Sequence, residues 1–327
     1  MILYCYGTRP EYIKIKKLIS LSNNIPHKVL YTAQHKDIVL GDFDFKLDIE
    51  NGLNRLDTIV SSILSDGINE CLQGIDYVLV QGDTASAFAL ALAAFHRGIK
   101  VIHLEAGLRT YDKMNPYPEE SYRQFVSRIA DIHLCPTVTN ANNLHDEKVG
   151  GEIYIVGNTV LDNLDKENLS YDNIVLVTLH RRENHEEMGN WFKEIDSIAS
   201  RYPELRFILP IHPNPMVKKH KHLLQNVEVV EPMNHDQFIE TMKRCKLLIS
   251  DSGGVQEEAS FFNKKVIVCR KVTERTESLN IHSYLCPTHN ELSLLFDRLI
   301  YDYKVDYECP YGDGFSSEKI IKILEQL

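Results

Sequence analysis

The chain has 327 residues and a mass of 37.6 kDa, and its 36 basic and 46 acidic side chains give a formal net charge of −10. Hydrophobic residues make up 43% and charged residues 25%, which excludes an intrinsically disordered or collagen-like chain. The acidic charge argues against nucleic acid and anionic membranes as partners, and no apolar run approaches the roughly 18 residues of a membrane span. At this length we expect two domains.

Cysteine and histidine usage bears on compartment and metal binding. The seven cysteines are scattered, odd in number and without a CxxC pair, which is typical neither of a disulfide framework nor of a zinc site. We therefore expect reduced thiols in a cytoplasmic protein. His180, His185 and His212 lack the usual ligand spacing and have basic neighbours, so no metal is expected.

Short apolar runs alternate with amphipathic stretches along the chain, which predicts βαβ units and parallel sheets. In the first half, strands are predicted near 2–6, 27–32, 77–81, 101–105, 131–135 and 153–156, and helices near 10–22, 54–72, 84–97, 118–129, 138–147 and 159–166. In the second half, strands are predicted at 174–179, 206–211, 227–231, 246–250 and 265–269, and helices near 186–201, 215–225, 235–245, 253–263, 289–302 and 315–326.

The polar segment 165–173 predicts a linker between the two halves. The expected fold class is therefore α/β, with two Rossmann-like doubly wound domains that face a central cleft. Ligands of such sheets bind at the carboxyl ends of the strands. Candidate site residues are accordingly those that follow strands.

Two cations follow the first predicted strand. In GTRPEYIK, Arg9 and Lys14 lie near a helix N-terminus, which itself attracts anions. A capped helix with surface charges explains the segment equally well. It is not a GxGxxG motif, so a dinucleotide cofactor of the Rossmann type is not indicated.

Three acidic residues occupy consecutive strand-to-helix junctions. Asp83, Glu105 and Glu119 follow successive strands, and Arg123 comes one helical turn after the last of them. Each alone could be a helix cap or a dipole partner. Together they predict an acid/base site, because neighbouring carboxylates push each other's pKa values apart.

The second half carries groups suited to phosphate. In HRREN, His180, Arg181 and Arg182 form a cationic cluster after a strand, and His212 follows the next strand. A solvated run of charges is the alternative interpretation.

The segment DSGGVQEE is the sharpest local signal. Ser252, Gly253 and Gly254 predict a helix start whose N–H groups bind a phosphate, and Glu257 or Glu258 can accept from ribose hydroxyls. A capping box is the structural alternative. Arg270, Glu274 and Arg275 follow the next strand.

These motifs together resemble one family. GTRPEYIK, TAQH, QGDT, HLEAGLRT, PYPEE–R, GNTVLDNL, HRREN, HPNP, DSGGVQEE, TERTE and PYGDG occur in the order typical of the non-hydrolysing UDP-N-acetylglucosamine 2-epimerases. The resemblance implies a glycosyltransferase-B fold, a homodimer, and interconversion of UDP-GlcNAc and UDP-ManNAc without NAD or metal. It also implies a first domain of residues 1–165 with a returning C-terminal helix at about 312–327, and a UDP-binding domain of residues 166–311.

The resemblance also implies roles for individual residues. Arg9 and Lys14 match the first-loop cations, Asp83, Glu105 and Glu119 the carboxylates of proton transfer, Arg123 the arginine after them, His180 the histidine near the phosphates, Phe238 an aromatic near the uracil, Ser252, Gly253, Gly254 and Glu258 the phosphate and ribose contacts, and Arg275 a phosphate-region arginine.

The family chemistry is elimination of UDP to 2-acetamidoglucal, followed by re-addition with protonation on the opposite face. This needs two acid/base groups, and cations that stabilise the departing pyrophosphate. A role in surface polysaccharide synthesis follows from the resemblance alone.

The sequence departs from the family pattern at several places. It is shorter near 36–55 and near 165–173, Asp37 replaces a polar contact, and Thr276 replaces a proline. Gln34 and His212 match part of a second, activating substrate site, which these departures put in question.

Three alternatives stay open. The chain can be a 2-epimerase of a modified UDP-sugar such as a 2,3-diacetamido derivative, a UDP-sugar glycosyltransferase of the same fold, or an inactive UDP-sugar sensor. The intact carboxylate set and His180 argue against the sensor.

Overall fold

Two parallel β-sheets, each covered by helices, organise the chain. A computed structural model describes residues 1–34, 41–50, 52–65 and 67–327. These residues form two units, Met1–Leu164 with Tyr311–Leu327, and Asp165–Pro310. Within the described ranges, no helix is both long enough and apolar enough to cross a membrane.

The first unit contains a seven-stranded parallel sheet. Its elements are β1 (Ile2–Tyr6), α1 (Arg9–Leu21), β2 (His27–Tyr31), β3 (Phe45–Lys46), α2 (Arg55–Ile63), α3 (Ile68–Leu72), β4 (Tyr77–Gln81), α4 (Ala85–Phe95), β5 (Lys100–Leu104), α5 (Glu119–Ile129), β6 (Ile132–Cys135), α6 (Val138–Asp146) and β7 (Glu152–Ile155). The strand order is β3-β2-β1-β4-β5-β6-β7.

Both faces of this sheet are buried. Along β1, Leu3 and Cys5 pack into one apolar cluster, whereas Tyr4 and Tyr6 pack into another on the opposite face. Successive strand residues point to opposite faces, so a strand covered on both sides must be apolar throughout. A strand such as β4, with the sequence YVLVQ, therefore shows little alternation of polar and apolar residues.

The last helix of the chain packs on the first unit. In α12 (Ser316–Leu324), Ile320 and Leu324 are buried in the same cluster as Ile15 of α1. The Asp162 carboxylate accepts hydrogen bonds from the backbone N–H groups of Ser316 at 2.9 Å and Ser317 at 2.6 Å, which satisfies the first turn of the helix.

The second unit contains a six-stranded parallel sheet. Its elements are β8 (Ile174–Thr178), α7 (Met188–Arg201), β9 (Arg206–Pro210), α8 (Pro215–Lys218), β10 (Glu228–Val230), α9 (His235–Arg244), β11 (Leu247–Ser250), α10 (Gly253–Phe261), β12 (Val266–Val268), β13 (Ser283–Leu285) and α11 (His289–Leu299). The strand order is β10-β9-β8-β11-β12-β13.

The predicted fold class of two Rossmann-like parallel-sheet domains is confirmed. In each sheet the order reverses beside a central strand, at β1 and β4 in the first unit and at β8 and β11 in the second. The loops that leave such a pair of strands diverge and form a crevice. Most candidate residues of both halves lie on these loops, on the loops next to them, or in the first turns of the helices that follow.

Three predicted helices are wrong in extent. The helix expected over 54–72 is divided into α2 and α3, and Gly67 precedes the second of them. The helix expected over 159–166 is a short 3-10 turn, because the Asn158 side chain accepts from Val160 N–H and Asp162 is engaged by α12. The helix expected over 215–225 ends at Lys218 and is followed by a 3-10 turn.

Two strands were not predicted from the sequence. β3 has two residues and β13 has three, and each forms an edge of its sheet. Runs this short carry no measurable periodicity, so their pairing is decided by the sheet edge that they join.

Candidate functional site

Glu11 links the first two loops of the candidate site. Its buried carboxylate accepts from the backbone N–H groups of Gly7 at 2.7 Å and Thr8 at 2.6 Å, which completes a capping box at the start of α1. Its other oxygen accepts from the Thr84 hydroxyl at 2.5 Å. Burial raises the pKa of Glu11, and the hydrogen bonds from Thr84 and the loop oppose that shift. The GTRPEYIK loop is thereby held against the loop that carries Asp83.

Glu105 lies in a buried, charge-paired position at the end of β5. Its Oε2 atom is 2.5 Å from Nζ of Lys14 and accepts from the side-chain amide of Gln81. The backbone of Glu105 has φ +67°, a left-handed conformation that costs a non-glycine residue about 1–3 kcal/mol. Such strain is typical of functional sites, where surrounding contacts hold a side chain in an unusual position.

The strained Glu105 loop is clamped by several contacts. The N–H groups of Glu105 and Ala106 both donate to the Leu134 carbonyl, at 3.0 and 3.1 Å. A Cβ on Gly107 would lie 2.2 Å from the Asn140 carbonyl oxygen, so only glycine fits there. Arg109 is buried and donates to both Glu147 carboxylate oxygens, at 2.6 and 3.0 Å. Arg109 therefore stabilises the loop through its ion pair with Glu147.

Asp83 is paired with Arg123 at the end of β4. The guanidinium donates through Nε at 3.0 Å and through a second nitrogen to the same carboxylate oxygen. Asp83 is half-buried, which keeps it within reach of a ligand. The structure thus brings two of the three predicted carboxylates into cation pairs on neighbouring loops.

Glu119 and Glu120 have different positions at the start of α5. Glu120 is fully buried and accepts from the N–H groups of Thr110 and Tyr111, both at 3.0 Å, as well as from Arg123 at 3.3 Å. Glu119 is half-buried and lies one turn before Arg123, on the same face of the helix. Glu120 is a structural anchor, and Glu119 is the one of the pair available to solvent.

In the second unit, Asp251 organises the HRREN loop. This carboxylate has no exposed surface and accepts from the backbone N–H groups of His180 at 2.9 Å and Arg181 at 2.8 Å. It also accepts from the Asn184 side chain at 3.0 Å, and that side chain donates in turn to the Cys269 carbonyl at 2.9 Å. A buried carboxylate with several donors is stable only when they all stay in place.

His180 is a neutral imidazole in this environment. Its Nδ1 lies 3.8 Å from an Asp251 oxygen, and its ring stacks on exposed His212 with centroids 5.0 Å apart. Burial lowers the pKa of His180, and Asp251 only partly opposes that effect. The contact with Asp251 is therefore not an ion pair at neutral pH. An anion bound next to the ring would favour the protonated form.

The N-terminus of α10 is built for close approach. A Cβ on Gly253 would lie 2.6 Å from a guanidinium nitrogen of Arg275, whereas a Cβ on Gly254 would meet open space. Ser252 occupies the N-cap position and makes no side-chain hydrogen bond to the helix within the part of the chain that the structure describes. The first turn can thus receive an anion with Arg275 beside it.

Arg275 belongs to a chain of buried ion pairs. Its Nε donates to Glu257 at 2.7 Å, and its Nη1 donates to Glu274. Glu274 also accepts from Arg270 at 3.1 Å, and Arg270 donates to Glu183 of the HRREN loop at 2.8 Å. The network joins the loops after β8 and β12 to α10.

The other residues predicted to contact the substrate lie on helices α1, α9 and α10. Glu258 is buried on α10, with His235 Nε2 3.9 Å from its Oε1. Phe238 is half-buried on α9, and Arg9 is exposed at the start of α1. Asp37, together with His35 of the TAQH motif, lies outside the described residues.

Five site residues were not predicted individually from the sequence, although all five lie in the motifs quoted above. They are the side chains that hold the candidates in place: Glu11, Gln81, Arg109, Asn184 and Asp251. Each is a buried polar residue beside a candidate, and its partners are known only once the loops are placed. For Gln81 and Asp251 the available signal was a polar residue at or directly after a strand end.

Comparison with known proteins identifies the family. A family model described as UDP-N-acetylglucosamine 2-epimerase matches residues 17–325. Proteins named UDP-N-acetylglucosamine 2-epimerase from Neisseria meningitidis serogroup A and Bacillus subtilis are 35% and 36% identical, with 99% of this chain and 98% and 94% of theirs covered. The crystal structure of the N. meningitidis UDP-GlcNAc 2-epimerase bound to UDP-GlcNAc superimposes with a TM-score of 0.88 at 33% identity, and all of both chains is covered.

Proposed function

Because the chain belongs to the UDP-N-acetylglucosamine 2-epimerase family, we propose that it interconverts UDP-GlcNAc and UDP-ManNAc by eliminating and re-adding UDP. The N. meningitidis structure, which contains UDP-GlcNAc, supports this choice of substrate. The observation that carries the proposal for this chain is the pair of charge-paired carboxylates, Glu105 with Lys14 and Asp83 with Arg123, on neighbouring loops.

The proposed reaction has two balanced steps. In the first, the C1–O bond to UDP breaks, its electron pair leaves with UDP, and a carboxylate accepts the C2 proton, which leaves the C1–C2 double bond of 2-acetamidoglucal. In the second, a UDP oxygen attacks C1 and a carboxylic acid donates a proton to the opposite face of C2. The C2 configuration is inverted and no net oxidation occurs.

The three carboxylates of the first unit are proposed to move the proton. Glu105 is fixed by strained backbone and two side-chain donors, which suits a group that must hold its direction through the reaction. Asp83 and Glu119 are both half-buried. Asp83 accepts a hydrogen bond from Arg123, and Glu119 lies one helical turn before Arg123 on α5. Arg9 and Lys14 are proposed to bind the substrate from the first loop.

The second unit is proposed to bind UDP. Ser252, Gly253 and Gly254 at the start of α10 receive the phosphates, with Arg275 and His180 as the adjacent charge-stabilising groups. Glu258 is proposed to accept from the ribose and Phe238 to contact the uracil. His212 stacks on His180 and orients that ring.

An incubation in deuterated water tests the proposal. The chain and UDP-GlcNAc, without added NAD, should yield UDP-ManNAc by proton NMR, with deuterium at C2 of the product, since a carboxylate can exchange its proton with solvent. Retention of the original C2 hydrogen would contradict the elimination. Turnover of a 2,3-diacetamido UDP-sugar in place of UDP-GlcNAc would change the substrate, and transfer of the sugar to an acceptor would make the chain a glycosyltransferase.

We further propose that the chain forms a homodimer, that it acts in the cytoplasm, and that it contributes to surface polysaccharide synthesis. None of the seven cysteines, all of which the structure describes, forms a disulfide, as a reducing compartment allows. An exposed aromatic patch supports a dimer: Phe95 is 55% exposed and Phe125 52% exposed. Phe88 lies seven residues before Phe95 on the same face of α4, and its ring is 5.7 Å from Phe125.

Phe125→Glu is expected to convert the dimer to a monomer, because a carboxylate placed in an apolar interface must lose its hydration. Light scattering at working concentration measures the mass of wild type and variant. Leu294→Glu on α11, where the leucine is 80% exposed, is the matched control and should leave the mass unchanged. A monomeric wild type would contradict the dimer.

A further inference from the structure

His103 of β5 is a buried histidine whose side chain forms a hydrogen bond with a backbone carbonyl. It has no exposed surface, and its Nε2 lies 2.8 Å from the carbonyl oxygen of Gly82. A carbonyl only accepts, so Nε2 must carry the hydrogen. The other ring nitrogen, Nδ1, is buried without a hydrogen-bond partner among the residues that the structure describes, in accord with this tautomer. Burial lowers the pKa of His103 to about 3, so the ring is a neutral donor at physiological pH.

The acceptor lies in the turn that carries the candidate carboxylates. Gly82 has φ +70°, and a Cβ there would be 3.6 Å from Oε2 of Glu105. On one side of Gly82, Gln81 donates to Glu105, and on the other, Asp83 accepts from Arg123. The peptides around Gly82 therefore set the spacing of the two carboxylates.

β5 holds Gly82 at two points. The N–H of Gly82 donates to the Leu104 carbonyl at 2.9 Å, and the carbonyl of Gly82 accepts from His103. Both contacts come from the two residues that precede Glu105. The turn containing Asp83 is thus tied to the strand that ends in Glu105, and His103 supplies the side-chain half of that connection.

A second histidine provides an internal comparison. His133 on β6 is the register partner of His103, is equally buried, and its Nε2 lies 2.9 Å from the carbonyl oxygen of Gly150. Gly150 precedes β7 and therefore lies at the amino-terminal ends of the strands, away from the carboxyl ends that carry the candidate residues. The two histidines make the same kind of bond, but only that of His103 reaches the carboxylate loops.

We propose that His103 is a positioning residue that fixes the turn of Gln81, Gly82 and Asp83 relative to the Glu105 carboxylate. This inference rests on the proposed epimerase function. His103 makes no contact with the reacting atoms in this role. It acts on the distance and direction of the groups that accept and donate the C2 proton, and displacement of such groups by about 1 Å can cost about 100-fold in rate.

The test compares substitutions of equal length. Gln places a donor the same number of bonds from the backbone as His Nε2, whereas Met has similar length and no donor. We expect His103→Met to lower kcat by about 100-fold, with UDP affinity close to that of wild type, and His103→Gln to recover most of the rate. His133→Met is the control, and should lose thermal stability comparably while it keeps its kcat.

The outcomes separate this inference from the proposed function. An inactive wild type would overturn the proposed function itself. An active wild type with equal loss of kcat in His103→Met and His133→Met, or a His103→Gln no better than His103→Met, would overturn the role of His103 alone. If His103→Met does not fold, nitrogen-15 NMR of wild type decides: His103 protonated on Nδ1 at neutral pH would overturn the bond to Gly82, and protonation on Nε2 supports it.

Discussion

Glu105→Gln is expected to lower the rate of UDP-GlcNAc epimerisation by about 10²–10⁴-fold, the range associated with loss of a general acid or base. The amide keeps the shape of the side chain but cannot accept the C2 proton. Lys14 and Gln81 both lose a charged acceptor, so some thermal stability is lost as well. Binding of UDP should change little, because its proposed contacts lie in the second unit.

Asp83→Asn and Glu119→Gln extend the same experiment. Each should reduce epimerisation far more than UDP binding. Elimination and re-addition need not use the same group, so at least one of the three variants should release 2-acetamidoglucal and UDP without finishing the reaction. Phosphorus and proton NMR detect both products.

The control for the carboxylate variants is Glu70→Gln, which changes an exposed carboxylate on α3 of the same unit. It should retain wild-type turnover. Near wild-type turnover in folded Glu105→Gln, Asp83→Asn and Glu119→Gln would remove the proton-transfer roles assigned to these residues. Calorimetry with UDP separates loss of chemistry from loss of binding.

His180→Ala is expected to lower turnover by about 10²–10³-fold, equivalent to about 2.7–4 kcal/mol of transition-state stabilisation. Burial keeps the ring neutral before the substrate binds, so a hydrogen-bond donor or a newly protonated imidazolium is available when pyrophosphate charge develops. The backbone of the loop should survive, because the substitution leaves in place the hydrogen bonds from the backbone N–H groups of His180 and Arg181 to Asp251.

His222→Ala is the matched control for that variant, since His222 is an exposed histidine of the same unit. It should leave turnover unchanged. Steady-state kinetics with UDP-GlcNAc give kcat and KM for both variants, and circular dichroism checks their folding. If folded His180→Ala turns over at a rate close to that of wild type, the charge-stabilising role of His180 is contradicted.

The sheet class and the location of the candidate site were predictable because they depend on local patterns. Apolar runs without alternation identify strands buried on both faces, and parallel strands bring their carboxyl ends to one edge. Lys14, Asp83 and Glu105 could therefore be assigned to one region before their contacts were known. Short elements such as β3 and β13 escaped, since two or three residues carry no period.

Which side chain binds which was decided only by the tertiary structure. Lys14 binds Glu105, which is 91 residues away in the sequence, and Arg123 binds Asp83, which is 40 residues away. No sequence motif specifies either partner. The same holds for Asp251, the first residue of the DSGGVQEE motif, which organises the HRREN loop through four hydrogen bonds.

The sequence by itself determined the order of most strands and helices, the chemical types gathered at the strand ends, and the family to which those motifs belong. The tertiary structure alone decided that Glu120 is a buried anchor while Glu119 is only half-buried, that Arg275 needs Gly253 beside it, and that His103 reaches Gly82. The physical reason is that periodicity and residue type act within a few residues. Burial, ion pairing and hydrogen-bond partners depend on which distant segments the folded sheets bring together.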